Sequence, residues 1–200
     1  MAKIKLTKNE LKKQKDQLKM FQRYLPTLVL KKQQLQSEIR QTEQRVRDLS
    51  RRKDELDSLF RAWIAVFGET GIFTPDLLSV DSLDIGKGNI AGVEIPVFNG
   101  ASISMADIDL YNTPPWLDLA ASKLREVMLV DLEIDIVEKQ RQALERELRV
   151  TTQRVNLFEK VKIPESKANI KKIRVYLGDE QTAAVVRGKI AKRGMEKVAQ

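Results

Sequence analysis

The residues of this 200-residue chain that come nearest to a recognisable chemical site are Gly86, Gly88 and Gly92, which suggest a loop cradling phosphate with backbone N–H groups. Their spacing excludes it. A dinucleotide fingerprint, G-x-G-x-x-G, needs glycine at position 91, where Ala91 stands, and a helix after it; Val93-Glu94-Ile95-Pro96 reads as strand instead. No G-x-x-x-x-G-K-[ST] loop occurs anywhere in the chain. Asp81, Asp84, Asp107 and Asp109 offer carboxylates for a divalent cation, but they lack EF-hand spacing and read as a solvated acidic face. The chain contains neither Cys nor His. That removes Ser-His-Asp and Cys-His nucleophile pairs and the usual zinc ligands. The expectation is a protein with no catalytic residue, no cofactor and no metal site, not an enzyme on its own.

The lack of Cys also excludes disulfides, which fits a reducing cytoplasm. No apolar run approaches the ~18 residues of a membrane span, and Met1-Ala2-Lys3-Ile4-Lys5-Leu6 lacks the apolar core of a signal peptide, so a soluble chain is expected. The net charge of +8 is unevenly placed. Residues 1–67 carry 17 basic and 8 acidic side chains, residues 68–115 carry Lys87 against 7 acidic ones, and residues 116–200 carry 18 and 13. Six of the nine glycines and four of the six prolines also fall within 68–115. Two charged arms, poor in helix breakers, therefore flank an acidic, turn-rich middle.

A heptad with position a at Leu11 organises the first arm. The a positions are Leu11, Leu18, Leu25, Lys32, Ile39, Val46, Lys53, Phe60 and Phe67; the d positions are Gln14, Phe21, Leu28, Leu35, Thr42, Leu49, Leu56 and Trp63. Thirteen of these 17 are apolar, whereas the outward b, c and f positions through Ser58 hold only Met20 and Leu30 as apolar residues. A stripe this narrow is a seam for one partner helix, not the face of a globular core. At ~1.5 Å per residue such an arm spans about 85 Å. Pro26 removes a hydrogen bond and crowds the carbonyl of Gln22, but the seam stays in phase through Leu25 and Leu28, so a kink is expected and not an end. Pro114-Pro115-Trp116 opens the second arm, and the seam returns as Val127, Val130, Ile134, Val137, Arg141, Leu144, Leu148, Thr151, Val155 and Phe158. Near Pro164 the phase slips by one, to Ile163, Ile170, Ile173 and Leu177. From Gly178 to Gln200 the chain is polar, basic and interrupted by glycine, and is expected to fray.

These patterns predict an all-α dominated fold. It is a long antiparallel two-helix coiled coil made of arms 1–67 and 116–177, with a middle segment 68–115 and a basic tail 178–200. Parallel self-dimerisation of each arm is the competing topology. Within the middle, Leu83-Asp84-Ile85 and Val93-Glu94-Ile95-Pro96-Val97 read as a β-hairpin over about 83–98 turning at Gly86-Lys87-Gly88-Asn89, with a bulge at Ala91-Gly92 and an edge strand at Pro96. The hairpin's apolar residues Ile85, Val93, Ile95 and Val97 are candidate docking residues. The antiparallel arrangement gathers Lys5, Lys8, Lys12, Lys13, Arg187, Lys189, Lys192 and Arg193 at one strongly basic end. Charge alone fits nucleic acid, an anionic membrane surface or acidic protein loops.

Several motifs resemble a known family, the D subunits of the V-type and archaeal A-type rotary ATPases, across roughly residues 4–192. They are Leu11-Lys12-Lys13-Gln14 with Leu18, Tyr24-Leu25-Pro26-Thr27-Leu28-Val29-Leu30-Lys31-Lys32-Gln33-Gln34-Leu35, and Asn89-Ile90-Ala91-Gly92-Val93 with Pro96-Val97-Phe98. The most specific is Arg154-Val155-Asn156-Leu157-Phe158-Glu159-Lys160-Val161-Lys162-Ile163-Pro164, which looks like the family's R-V-N-x-x-E-x-x-x-I-P signature. Where many members read G-x-x-L-L-K-x-K-R-D, this chain has Tyr24-Leu25-Pro26-Thr27 and Lys31-Lys32-Gln33-Gln34, which points to a bacterial branch. The resemblance implies a central rotor shaft in a hexamer of A and B subunits, bound to a small F subunit near its middle segment and seated on a funnel-like subunit above the membrane ring. It implies torque without chemistry, a peripheral position on the cytoplasmic face of the membrane, no nucleic acid and no direct membrane insertion. Two other classes share the hairpin architecture. A prefoldin-like chaperone subunit would expose apolar helix tips, and a nucleic-acid-binding arm would interleave aromatics with its basic residues. Here the tips are basic, and only Phe21 and Tyr24 interrupt the basic N-terminal segment.

Overall fold

The computed structural model describes residues 4–67, 78–106 and 116–198. Their order is helix α1 (Lys8–Phe67), strands β1 (Leu78–Ile90) and β2 (Val93–Met105), helix α2 (Leu117–Asn156), a π-helical turn (Leu157–Lys162) and helix α3 (Ile163–Val198). The expected helix start at Pro114-Pro115, the carboxylates Asp107 and Asp109, and the side chains of Phe60, Trp63 and Phe67 lie outside the described residues. The fold is helical with one inset antiparallel β-hairpin, and it divides into two compact units. A hairpin unit comprises Lys32–Arg149, and a terminal unit comprises Met1–Lys31 with Val150–Gln200.

Helix α1 begins at a cap. Thr7 Oγ1 accepts the Glu10 N–H at 3.3 Å, satisfying a donor that the first turn would leave open, and the Thr7 carbonyl accepts the first intrahelical bond, from the Leu11 N–H at 3.0 Å. The seam then holds along the helix. Every a and d position from Leu11 to Leu56 is buried or half-buried, and every b, c and f position from Lys12 to Ser58 is exposed. Pro26 sits inside the helix, which continues through it. The polar seam residues are accommodated locally. Thr42 donates its hydroxyl to the Glu38 carbonyl at 2.8 Å, and Arg141 on α2 is held by Glu138 and Glu145, chiefly the Glu138 hydrogen bond, which raises its pKa.

In the hairpin unit α1 and α2 run antiparallel. Arg45 Nη2 meets Glu133 Oε1 at 2.7 Å, and Lys53 Nζ meets Asp131 Oδ1 at 2.6 Å, a hydrogen bond that holds the Lys53 ammonium above its ordinary pKa. The core beneath them is Leu35, Ile39, Leu144 and Ile95, with Ile90, Val93, Val97 and Leu148 packed against it. In the terminal unit α1 packs antiparallel on the end of α2 and on α3. Phe21 faces Phe158 with centroids 5.1 Å apart, and Gln14 Oε1 accepts from Asn169 Nδ2 at 3.4 Å.

The slip of the second seam has a structural cause. Over Leu157–Lys162 the helix widens into a π turn, in which the Ile163 N–H reaches back five residues to the Phe158 carbonyl. This absorbs one extra residue, so the seam moves from Phe158 to Ile163 and resumes through Ser166, Ile170 and Ile173, all three buried. Ser166 is a seam position that hydropathy alone passes over.

Two expectations are corrected. The tail does not fray at Gly178: α3 stays helical to Val198 through Gly178, Gly188 and Gly194. Three glycines at about 1 kcal/mol each are tolerated among strong helix formers such as Glu180, Gln181, Ala183, Ala184 and Arg187. The hairpin is longer than 83–98 and turns elsewhere. It runs from Leu78 to Met105, its loop is Ala91-Gly92 between Ile90 and Val93, and its irregularities fall between Val80 and Ser82 and between Asp84 and Ile85. Gly86 and Gly88 are strand residues paired with Val97 and Ile95. A Cβ on Gly88 would lie 2.8 Å from Val97 Cγ2, and one on Gly86 2.9 Å from Asn99 Nδ2, so these glycines make room for β2 side chains.

Both loop residues have positive φ, 51° at Ala91 and 78° at Gly92, as a two-residue hairpin turn requires, and Asn89 Oδ1 accepts the Gly92 N–H at 3.0 Å. Alanine is the costly choice there, by about 1 kcal/mol. Ala91→Asn should therefore stabilise the protein by about 0.5–1 kcal/mol in urea unfolding, and Ala91→Val should destabilise it. Equal midpoints for the two variants would show that the turn is not under this strain.

Candidate functional site

The eight basic residues expected at one end all lie in the terminal unit and are all exposed. They do not form one cluster. Lys8, Lys12 and Lys13 sit on the first turns of α1, with Lys5 just before it, whereas Arg187, Lys189, Lys192 and Arg193 sit near the end of α3. With Gln14 opposite Asn169, Thr7 falls level with about Tyr176, where the seam of α3 ends. Among the described residues of this unit the helix beyond Leu177 has no partner helix, and every residue from Gly178 to Met195 is exposed. The second basic group is thus carried up to about 24 Å past the first on a lone helix. That helix also exposes Val185, Val186, Ile190 and Met195, at 59, 50, 65 and 75 %.

Sequence reasoning missed a third set of cations. Lys15 and Lys19 of α1 and Lys167, Lys171 and Arg174 of α3 line an open groove of about 470 Å³ together with Leu18, Ile170 and Val175. The i, i+4 pairs Lys15/Lys19 and Lys167/Lys171 beside seam residues were the available signal. The terminal unit carries 21 basic against 7 acidic residues and the hairpin unit 15 against 21, so the charge asymmetry read along the chain becomes an asymmetry between compact units.

The four hairpin candidates separate. Ile95 is 5 % exposed and packs on Leu35, Ile39 and Leu144, and Val93 and Val97 pack against the same cluster. Gln140 Nε2 donates to the Pro96 carbonyl at 2.6 Å, fixing β2 to α2. Ile95, buried, and Val93 and Val97, partly buried, fasten the hairpin to its own helices. Ile85 alone faces outward, with Val80, Leu83 and Met105, each at least 36 % exposed. Alternation at Val93, Ile95 and Val97 announced a covered face without saying which surface covers it. Of the carboxylates considered for a metal, the two described are engaged within the hairpin: Asp81 Oδ1 accepts from Ser104 Oγ at 2.7 Å, and Asp84 Oδ1 lies 3.5 Å from Asn99 Nδ2. Among the described residues no group of three or more metal-ligating side chains comes together, and no helix is long and apolar enough to cross a membrane.

The described residues thus form antiparallel helix packing with an inset hairpin, one strongly basic unit and an exposed end of α3. A family model for the D subunit of ATP synthase matches residues 10–193. The chain is 53 % identical over 199 residues to the V-type ATP synthase D subunit of Borreliella burgdorferi, covering 98 % of this chain and 97 % of that protein. It is 35 % identical to the corresponding D subunit of Chlamydia pneumoniae (96 % and 93 % covered) and 32 % identical to that of Chlamydia trachomatis serovar L2 (98 % and 97 %). The chain belongs to the family of V-type ATP synthase D subunits.

The anchoring and outward residues should respond differently to substitution. Ile95→Ala, which opens a cavity against Leu35 and Leu144, should cost about 2–4 kcal/mol of stability, and Ile85→Ser less than about 0.5 kcal/mol. Comparable losses in urea unfolding would refute the assignment of inward and outward faces.

Proposed function

We propose that this chain is the central shaft of a V-type ATPase, carrying torque between a hexamer of A and B subunits and a membrane ring while performing no chemistry itself. The observation that carries this reading is the bare end of α3. A helical end of some twenty residues that packs on no other helix among the described residues, exposing Val185, Val186 and Ile190 beside Arg187, Lys189 and Arg193, is built to be surrounded by other chains. On this reading the basic terminal unit enters the hexamer. A rotating contact must centre the shaft without locking it at one angle. Long, hydrated Lys and Arg side chains facing acidic loops suit that, because each screened surface pair is weak and breaks easily as the shaft turns.

The acidic hairpin unit then serves the small F subunit and the funnel-like subunit above the membrane ring. The hairpin offers F its outward side at Ile85, and the buried Ile95 with the partly buried Val93 and Val97 hold it in place. The protein works as a peripheral subunit at the cytoplasmic face of the membrane and is not itself catalytic; ATP is bound and hydrolysed or made by its partners.

The test is charge reversal on the bare helix. Replacing Arg187, Lys189, Lys192 and Arg193 by Glu should weaken assembly with the A/B hexamer and steepen its salt dependence, while binding of F survives. Loss of F binding with hexamer binding intact would mean that the shaft enters the other way round.

A further inference from the structure

The hairpin carries a reactive dipeptide that neither the seam nor the proposed function uses. Of the six asparagines of the chain only Asn99 precedes a glycine; the others precede Glu10, Ile90, Thr113, Leu157 and Ile170. The backbone nitrogen of a following residue can attack an asparagine side chain at Cγ, and a side chain on that residue shields the nitrogen. Gly100 has none, and nothing lies within 4 Å of where its Cβ would stand. Local structure adds to the sequence. Gly100 pairs with Asp84 and Phe98 with Ile85, so Asn99 is the extra residue of a bulge and has no partner on β1. It is also exposed. A regular ladder holds a strand extended against closure of a five-membered ring, and an unpaired bulge residue is where that restraint is weakest. Asn9, Asn156 and Asn169 lie within helices instead, and Asn89 is held as acceptor of the Gly92 N–H. The Asn99 amide reaches across to β1. Its Nδ2 lies 3.5 Å from Asp84 Oδ1, and 2.9 Å from where a Cβ on Gly86 would stand.

We infer that Asn99 is a site of spontaneous modification, converted by water to aspartate and isoaspartate, and that the new carboxylate repels Asp84 and loosens the half of the hairpin away from its turn. The Gly100 nitrogen bonds to Asn99 Cγ as the Cγ–Nδ2 bond breaks. Ammonia leaves with the Gly100 amide proton, and a cyclic imide remains. One water then opens the ring, and nothing is oxidised or reduced. Cleavage at Cγ gives aspartate. Cleavage at the main-chain carbonyl of residue 99 gives isoaspartate, whose backbone runs through the former side chain and is one atom longer. Aspartate replaces a long hydrogen bond to Asp84 with two like charges across paired strands; isoaspartate lengthens β2 as well. If the outward side at Ile85 serves a partner, the change falls beside it, but the modification does not depend on that reading.

Ageing the full chain at mildly alkaline pH, followed by peptide mass spectrometry, tests the site. Asn99 should convert on the order of tenfold faster than any other asparagine, with isoaspartate among the products. Asn99→Asp installs one product directly. It should speed amide exchange of residues 78–84 and 100–105 about threefold, leave residues 86–97 unchanged, and return to the parent rate when combined with Asp84→Asn. Conversion at Asn99 no faster than at the other asparagines would overturn the site. An Asn99→Asp chain that exchanges like the parent, or that Asp84→Asn fails to rescue, would overturn the loosening. The ageing profile decides the site even if a variant fails to fold, and neither result bears on which partners the chain binds.

Discussion

Everything in this molecule depends on a seam one residue wide. Apolar side chains every three or four residues along α1 and along α2–α3 leave water by packing on a second helix, here one of the same chain. The seam fixes that the helices run antiparallel, as Gln14 opposite Asn169 and Arg45 opposite Glu133 demonstrate in their respective units. It also fixes where irregularity is allowed. An extra residue in the second helix has to be absorbed within one turn or the whole downstream stripe would rotate away from α1, and the π turn does this. Arg141 and Thr42 occupy seam positions only because neighbouring carboxylates and a backbone carbonyl satisfy them.

A seam so narrow leaves most of each helix surface free for other work. Charge can accumulate on the outward positions without cost to the core, which is how the terminal unit comes to hold three basic residues for each acidic one. The hairpin is attached by the same means: Ile95 reaches the cluster that joins Leu35 to Leu144, so one apolar strand face turns a flexible ribbon into a fixed feature. What remains outward is the exposed apolar set Val80, Leu83 and Ile85 on β1 and an exposed helical end on α3. Membership in the D-subunit family and these two unsatisfied surfaces support the same reading, a protein completed by its neighbours.

Much of this was legible in the sequence because periodicity is a direct record of burial. The a and d positions of α1, the tolerance of Pro26 and the slip near Pro164 follow from spacing alone. The errors share a physical origin. Gly86 and Gly88 read as a turn because glycine marks turns more often than crowding, yet here Val97 and Asn99 occupy the space a Cβ would need. The true turn sits at Ala91, a residue whose side chain gives no hint of a positive φ. The tail was expected to fray because its glycines and lack of an apolar stripe are local signals. Nothing local reveals that Val185, Val186 and Ile190 stay on a helix while exposed. For the same reason the cover over Val93, Ile95 and Val97 was not legible: a strand announces its covered face but not the identity of the cover.

The central claim is that one chain satisfies its own seam through an antiparallel return. The natural absence of Cys makes a direct measurement possible, since Leu18 and Ile170 line the same groove on opposite helices. A Leu18→Cys/Ile170→Cys variant, oxidised at low concentration, should form a disulfide within the monomer that survives dilution and shifts its electrophoretic mobility without doubling its mass. Disulfides appearing only between chains would contradict the account and indicate that the seams are satisfied by self-association.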